Sequence, residues 1–129
     1  MLRSGILNPA LLSLLARVRH TNTLIIADRG FPSWPGLDTI DLSLVDDVPT
    51  VAQVVAALRE NFVIGAVHAA EELKSANSAY AVERHLAALR GLPVHFEPHL
   101  ALKARVPRAV GLVRTGDTTQ YANLVIESA

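Results

Sequence analysis

Side chains able to move protons or bind hydroxyl groups gather at three places in the sequence. The first holds His20 and Asn22, with Asp28 further along the same stretch. The second is Pro98-His99-Leu100-Ala101-Leu102-Lys103, where a helix would set His99 and Lys103 four positions apart on one face. The third is Arg114-Thr115-Gly116-Asp117 followed by Tyr121-Ala122-Asn123, a turn that delivers a phenol and an amide to the start of a strand. Two imidazoles, an ammonium, a phenol, an amide and a carboxylate suit a neutral polyhydroxylated ligand, which needs many directional hydrogen bonds and little net charge. Taken singly, each residue also has an ordinary structural reading. A histidine after a helix caps it or is solvated, an aspartate at a strand end serves a turn, and tyrosine or asparagine near a strand start is commonplace.

Other chemistries find less footing. The five histidines do not form a ligand set at helical spacing: His95 and His99 straddle Pro98, and His85 stands among Glu83, Arg84 and apolar residues. His68 with Glu71 and Glu72 is the other candidate, so no metal is expected. The chain has no cysteine, which excludes disulfides and thiolate metal sites. Its seven glycines are scattered and make no phosphate-cradling loop, and no serine nucleophile elbow is present. No organic cofactor is expected either.

The elements that would position these groups follow from apolar spacing. Asn8-Pro9 starts a helix, and Leu11, Leu14, Leu15 and Val18 repeat along one face to about Arg19. Thr23–Ala27 is a continuous apolar run, the pattern of a strand covered on both faces. That run would separate His20 from Asp28 by more than about ten ångströms, so the two need not meet within one subunit. Thr39–Leu44 alternates as a half-buried strand, and Val51, Val54, Val55 and Leu58 mark a second helix. Phe62–Val67 reads as a strand, and Val82, Leu86 and Leu89 mark a helix stopped by Gly91 at the C′ position. Val94–Phe96 is a further strand, Pro98–Arg105 a short helix, and Ala109–Val113 and Ala122–Ile126 two more strands. Strands alternating with helices predict an α/β layered sheet flanked by helices, in one domain over residues 1–129.

Composition bounds the partners. Twelve basic residues balance twelve acidic ones, so nucleic acid is not an expected partner. Asn8-Pro9 interrupts the apolar N-terminal stretch and Arg17 and Arg19 follow it, unlike a secretory signal. No run approaches the ~18 apolar residues of a membrane span, and a cytoplasmic protein is expected. Half the residues are apolar and the mean hydropathy is positive, in a neutral chain of 129 residues. Such a chain is expected to cover its aliphatic surface in a symmetric oligomer.

Along its whole length the chain resembles the D-ribose pyranase and L-fucose mutarotase family. The resemblance is carried by Gly5-Ile6-Leu7-Asn8-Pro9, Arg19-His20-Thr21-Asn22-Thr23-Leu24 and Asp28-Arg29-Gly30-Phe31-Pro32. It continues through Asp38–Asp41, Val48-Pro49, Ala70-Glu71-Glu72-Leu73-Lys74 and His99-x3-Lys103, and ends in Arg114-Thr115-Gly116-Asp117 and Tyr121-Ala122-Asn123. The ribose branch fits better than the fucose branch. The resemblance implies interconversion of pyranose and furanose forms, or of anomers, of a free monosaccharide, D-ribose first. It implies that His20 donates a proton and that Asp28, His99, Lys103, Tyr121, Ala122 and Asn123 bind the sugar. It further implies a ring-shaped homo-oligomer, pentameric or decameric, with sites between neighbouring subunits.

Two positions depart from the family's usual Gly-His-Thr-Asp: Arg19 replaces the glycine and Asn22 the acid. Asparagine supplies hydrogen bonds but no negative charge beside the histidine, and Arg19 adds a like charge. The competing expectation is therefore a sugar-binding homologue that has lost proton transfer or acts on fucose or another monosaccharide.

Overall fold

The computed structural model describes residues 1–3 and 5–129. Six strands form one sheet: β1 (Thr23–Ala27), β2 (Thr39–Asp41), β3 (Ile64–Ala70), β4 (Val94–Glu97), β5 (Gly111–Arg114) and β6 (Leu124–Ser128). The helices are α1 (Pro9–Arg17), α2 (Val51–Asn61), α3 (Glu72–Ala76), α4 (Ala79–Ala87) and α5 (His99–Arg105), with a 3-10 turn at Val106–Arg108. The spatial order is β2-β5-β1-β6-β3-β4. β5 runs parallel to both β1 and β2, and β3 runs parallel to β4. β6 alone is reversed, pairing antiparallel with β1 on one side and β3 on the other.

Helices cover both faces, as the uninterrupted apolar run in β1 predicts. On one face Leu24, Ile26, Val67, Val113, Leu124 and Ile126 pack with Leu11 and Leu14 of α1 and Val51, Val54, Val55 and Leu58 of α2. On the other, Ile25, Leu112 and Val125 pack with Leu102 of α5 and with Phe31 and Val106. Local signals start the helices. Asn8 accepts from the Leu11 N–H at 2.9 Å with Pro9 in the first turn. Thr50 and Gln53 form a reciprocal capping box on α2 at 3.1 and 2.9 Å. Each such cap stabilises its helix by about 1 kcal/mol.

Several boundaries differ from the apolar pattern, each for a local reason. The strand expected over Thr39–Leu44 stops at Asp41, whose carboxylate accepts from the Ser43 N–H at 2.9 Å and turns the chain out of the sheet. The strand expected over Phe62–Val67 is displaced to Ile64–Ala70, because α2 persists to Asn61 and Phe62 only caps it. α4 ends at Ala87 rather than running to Gly91. The Leu89 and Leu92 N–H groups bond back to the carbonyls of Leu86 and Leu89, and Gly91 then takes a positive φ of 81°. α3 has five residues, too few for a periodic signal. Among the described residues, no helix is long and apolar enough to cross a membrane.

One core residue is costly. His85, on α4, is 3% exposed, and neither ring nitrogen has a hydrogen-bond partner among the described residues. Burial pushes its pKa below the ordinary 6.5, against the opposing pull of the Asp117 carboxylate. The folded protein therefore holds a neutral imidazole, whereas the unfolded chain protonates below about 6.5. Stability is accordingly greatest above that pH and falls as pH drops toward the depressed folded-state value. Thermal melts across this range should show the decline, and His85→Leu should flatten it. An unchanged pH profile in the variant would contradict the assignment.

Candidate functional site

The sheet's directions decide where the polar residues meet. β1, β3, β4 and β5 end on one side of the molecule, and reversed β6 begins there. Segments following the parallel strands and the segment preceding β6 therefore share one edge, the position where open α/β sheets bind ligands. Asp28 follows β1, His99 and Lys103 come from α5 after β4, and Tyr121–Asn123 lead into β6.

Asp28, His99, Lys103, Tyr121 and Asn123 line one open cavity of about 310 Å³, together with Gly30, Phe31, Pro32 and Gln120. His99 and Lys103 share the cavity-facing side of α5, as their spacing predicts. The edge of one ring meets the face of the other in the His99–Tyr121 pair, with centroids 5.1 Å apart and planes at 79°. Nδ1 of His99 is buried and has no partner among the described residues. Ala122, expected among the binding residues, is fully buried, joins the core through its side chain and does not line the cavity.

Asp28 and Asn123 are held as a unit. The Asp28 N–H donates to Asn123 Oδ1 at 2.8 Å, and Asp28 Oδ1 accepts from the Gly30 N–H at 2.9 Å. Burial pushes the Asp28 carboxyl above its ordinary 3.8, with hydrogen bonds from Gly30 and Asn123 opposing and the Asp117 charge adding to the rise. The cavity thus presents a carboxylate of raised basicity beside an ammonium, a phenol and an imidazole.

Two supporting contacts have no signal in the sequence, although Arg114 and Tyr121 themselves stand in its third polar cluster. Arg114 donates to the Phe31 carbonyl from Nε at 3.3 Å and Nη2 at 3.1 Å, and pairs with Asp41 at 3.2 Å, fixing the wall formed by residues 30–32. Tyr121 adopts a positive φ of 55°, uncommon for an aromatic residue. Preceding it, Gln120 is gripped from both sides: its N–H donates to Asn77 Oδ1 at 3.0 Å and its carbonyl accepts from Asn77 Nδ2 at 2.8 Å. A long-range side-chain clamp of this kind has no signature in the local sequence. Asp117 touches the problem differently: its buried carboxylate accepts from the Val51 and Thr119 N–H groups, both at 2.8 Å, capping α2 and folding the 115–119 loop.

His20 stands apart. It precedes β1, whereas Asp28 follows it, so the two lie at opposite ends of the strand and His20 does not line the cavity. It is exposed at the tip of a tight turn. There the Arg19 N–H donates to Asn22 Oδ1 at 2.9 Å, the Asn22 N–H donates to the Arg19 carbonyl at 3.0 Å, and Thr21 has a φ of 65°. Asn22 is thus a turn-closing residue, an acceptor role that an aspartate could also fill. Arg19 folds back onto the carbonyls of Ala16 and Val18, placing its guanidinium at the C-terminal end of α1.

Residues 1–129 match the model of the RbsD / FucU transport protein family. The D-ribose pyranase of Geobacillus kaustophilus is 41% identical over 128 residues, covering 99% of this chain and 93% of that protein. D-ribose pyranase 2 of Streptomyces griseus is 38% identical over 131 residues, with 98% and 95% covered. Bacillus subtilis RbsD, solved in complex with D-ribose, superposes with a TM-score of 0.90 at 32% identity, covering 100% of this chain and 98% of that one. FucU from Bifidobacterium longum shares the fold, with a TM-score of 0.81 at 18% identity and 95% of each chain covered.

The Asp28 environment gives a direct test. Removing one of the hydrogen bonds that favour the ionised form, by Asn123→Ala, should raise the Asp28 pKa further above 3.8. Carboxyl carbon chemical shifts followed against pH would read the change, and an unmoved or lower midpoint would contradict the account.

Proposed function

The chain belongs to the RbsD / FucU family, and from that premise we propose that it is a sugar mutarotase of the D-ribose pyranase type. It interconverts the pyranose and furanose forms of free D-ribose by ring opening and reclosure, acting in the cytoplasm. The observation that carries this reading is the convergence of Asp28, His99, Lys103, Tyr121 and Asn123 on one cavity, in a chain with 41% identity to a D-ribose pyranase.

Ring opening needs a proton delivered to the ring oxygen while the anomeric hydroxyl loses one. Closure through a different hydroxyl then switches ring size. Asp28, with its raised basicity, accepts a hydroxyl proton in a hydrogen bond. Lys103 donates, Tyr121 both donates and accepts, and His99 supplies an imidazole edge. Asn123 holds Asp28 in place. His20 is the proton donor. The reaction proceeds unaided in water, so one or two general acid–base contributions of ~10²–10⁴ each suffice. Nothing in this sequence of steps calls for a metal or an organic cofactor.

In this reading the donor reaches the cavity from a neighbouring subunit. His20 sits at one end of β1 and the cavity at the other, so a ring of five copies, or two such rings stacked, joins them head to tail. Leu2, Leu7, Leu44 and Val45 are exposed in the single chain and give an assembly apolar surface to cover.

Saturation-transfer NMR on D-ribose tests the activity: the protein should accelerate pyranose–furanose exchange, and His20→Ala should abolish the acceleration while retaining binding. Ribose bound without acceleration by the unmodified protein would instead favour a non-catalytic homologue. Mixing denatured His20→Ala and Lys103→Ala chains and refolding them together tests the shared site. In randomly mixed rings about a quarter of sites regain both residues, so activity should return. Failure of every mixture to recover would place both residues in one subunit's site. Ribose affinity should also fall on acidification as Asp28 protonates, beginning at higher pH than for an ordinary carboxylate, because its pKa is raised. Asp28→Asn should remove that acid limb.

A further inference from the structure

The segment Ala70-Glu71-Glu72-Leu73-Lys74 and the residues after it supply no group to the cavity, yet they touch two of its walls. Register fixes where the segment starts. Ala70 pairs with Glu97 across the β3–β4 ladder, and the Glu71 N–H donates to the Glu97 carbonyl at 2.9 Å. Leu73 is fully buried, and Lys74 Nζ lies 3.6 Å from the centre of the Phe96 ring. α3 is thereby pinned beside the junction of β4 and α5.

From that position its two ends reach out. Glu72 Oε2 accepts from the His99 N–H at 2.7 Å. Pro98, at the N-cap of α5, has no side-chain hydrogen bond to offer, so a carboxylate from another helix caps the helix that carries His99 and Lys103. At the other end Asn77 bonds to the Leu73 carbonyl at 2.8 Å and grips Gln120 through both its N–H and its carbonyl. Gln120 immediately precedes Tyr121, whose positive φ requires the surrounding chain to hold it.

We propose that α3 is a two-ended brace, with Glu72 and Asn77 as positioning residues that set the His99–Lys103 wall and the Gln120–Tyr121 wall of the cavity relative to each other. Neither residue reacts. Each acts through a main-chain group of the residues it holds, and a cavity that recognises hydroxyl groups by several convergent bonds loses affinity when one wall drifts. The proposal rests on the sugar-binding reading of the cavity.

The variants are Glu72→Ala, Glu72→Gln and Asn77→Ala in the full chain, compared by ribose affinity, exchange rate at saturating ribose, and amide hydrogen exchange by mass spectrometry. Glu72→Ala and Asn77→Ala should each weaken ribose binding about tenfold, while the rate at saturation changes less than about threefold. Glu72→Gln, which keeps an acceptor oxygen, should recover most of the affinity. Amide exchange should quicken over residues 98–105 in Glu72→Ala and over 119–123 in Asn77→Ala, each with the opposite wall unchanged. Affinity unaltered in both alanine variants would overturn the proposal. So would exchange quickening evenly through the protein, which marks general destabilisation. If the unmodified protein neither binds nor interconverts ribose, the functional reading fails. The localised exchange pattern then still decides whether the brace exists.

Discussion

β6 runs against its neighbours, and the site depends on that reversal. In a wholly parallel sheet every strand begins at the far edge, and a residue just before a strand can never stand beside a residue just after one. Because β6 lies antiparallel between β1 and β3, its first residues emerge among the last residues of the strands on either side. Asn123, immediately before β6, can therefore hold the Asp28 amide immediately after β1, although the two are far apart in the chain. The same reversal sets Tyr121 against His99 of α5. Sheet direction thus supplies the convergence, and side chains supply only its last few ångströms.

The polar loop that feeds β6 needs its own anchor, since its main chain passes through buried surroundings where unpaired N–H and C=O groups are costly. Thr115 bonds to the Ala27 carbonyl through both its N–H at 2.9 Å and its hydroxyl at 2.8 Å. The Gly116 N–H donates to the Pro49 carbonyl at 2.9 Å, and a Cβ at Gly116 would overlap the carbonyl oxygen of Val45. Asp117 then bonds to the start of α2 and to Thr119. The run Thr115-Gly116-Asp117 is accordingly a joint between β5, α2 and the segment entering β6. Its negative charge sits at the N-terminal end of α2, where the helix dipole favours it. Burial is the main cause of the raised Asp28 pKa, and that charge adds to the rise.

Legibility in the sequence followed how local each determinant was. β1 is legible over its full extent, because a five-residue apolar run bounded by polar turns has few alternatives. α1 is legible from the Asn8-Pro9 start, and α2 from the apolar spacing of Val51, Val54, Val55 and Leu58, whereas the Thr50–Gln53 box that caps α2 emerges only in the structure. His99 and Lys103 came together through helical spacing alone. β2 is shorter than its alternation predicts because the Asp41 side chain, rather than apolar alternation, ends it. The reversal of β6 left no mark on its sequence, since apolar content shows that a strand is buried and not which way it runs. The clamps from Glu72 and Asn77 were equally silent, because each joins residues distant in the chain. The separation of His20 from Asp28, by contrast, follows from strand rise alone.

That separation explains how the departures at Arg19 and Asn22 can be tolerated. Residues 19 and 22 act on the turn rather than on the cavity of their own chain. Asn22 closes the turn through main-chain partners, and Arg19 is drawn away to the carbonyls ending α1. Thr21 and Ser128 are bonded across the same edge, with the Thr21 N–H donating to the Ser128 carbonyl at 3.0 Å and the Ser128 N–H donating to the Asn22 carbonyl at 2.9 Å. The turn is therefore tied to the end of β6 through Ser128, and its shape does not need glycine at position 19 or an acid at position 22. Substitution there changes the charge around an exposed imidazole, where solvent screens it. The turn that carries exposed His20 and the cavity at the other end of the same sheet are two independent halves. In the shared-site reading they evolve under separate constraints, with geometry imposed only by how one copy meets the next.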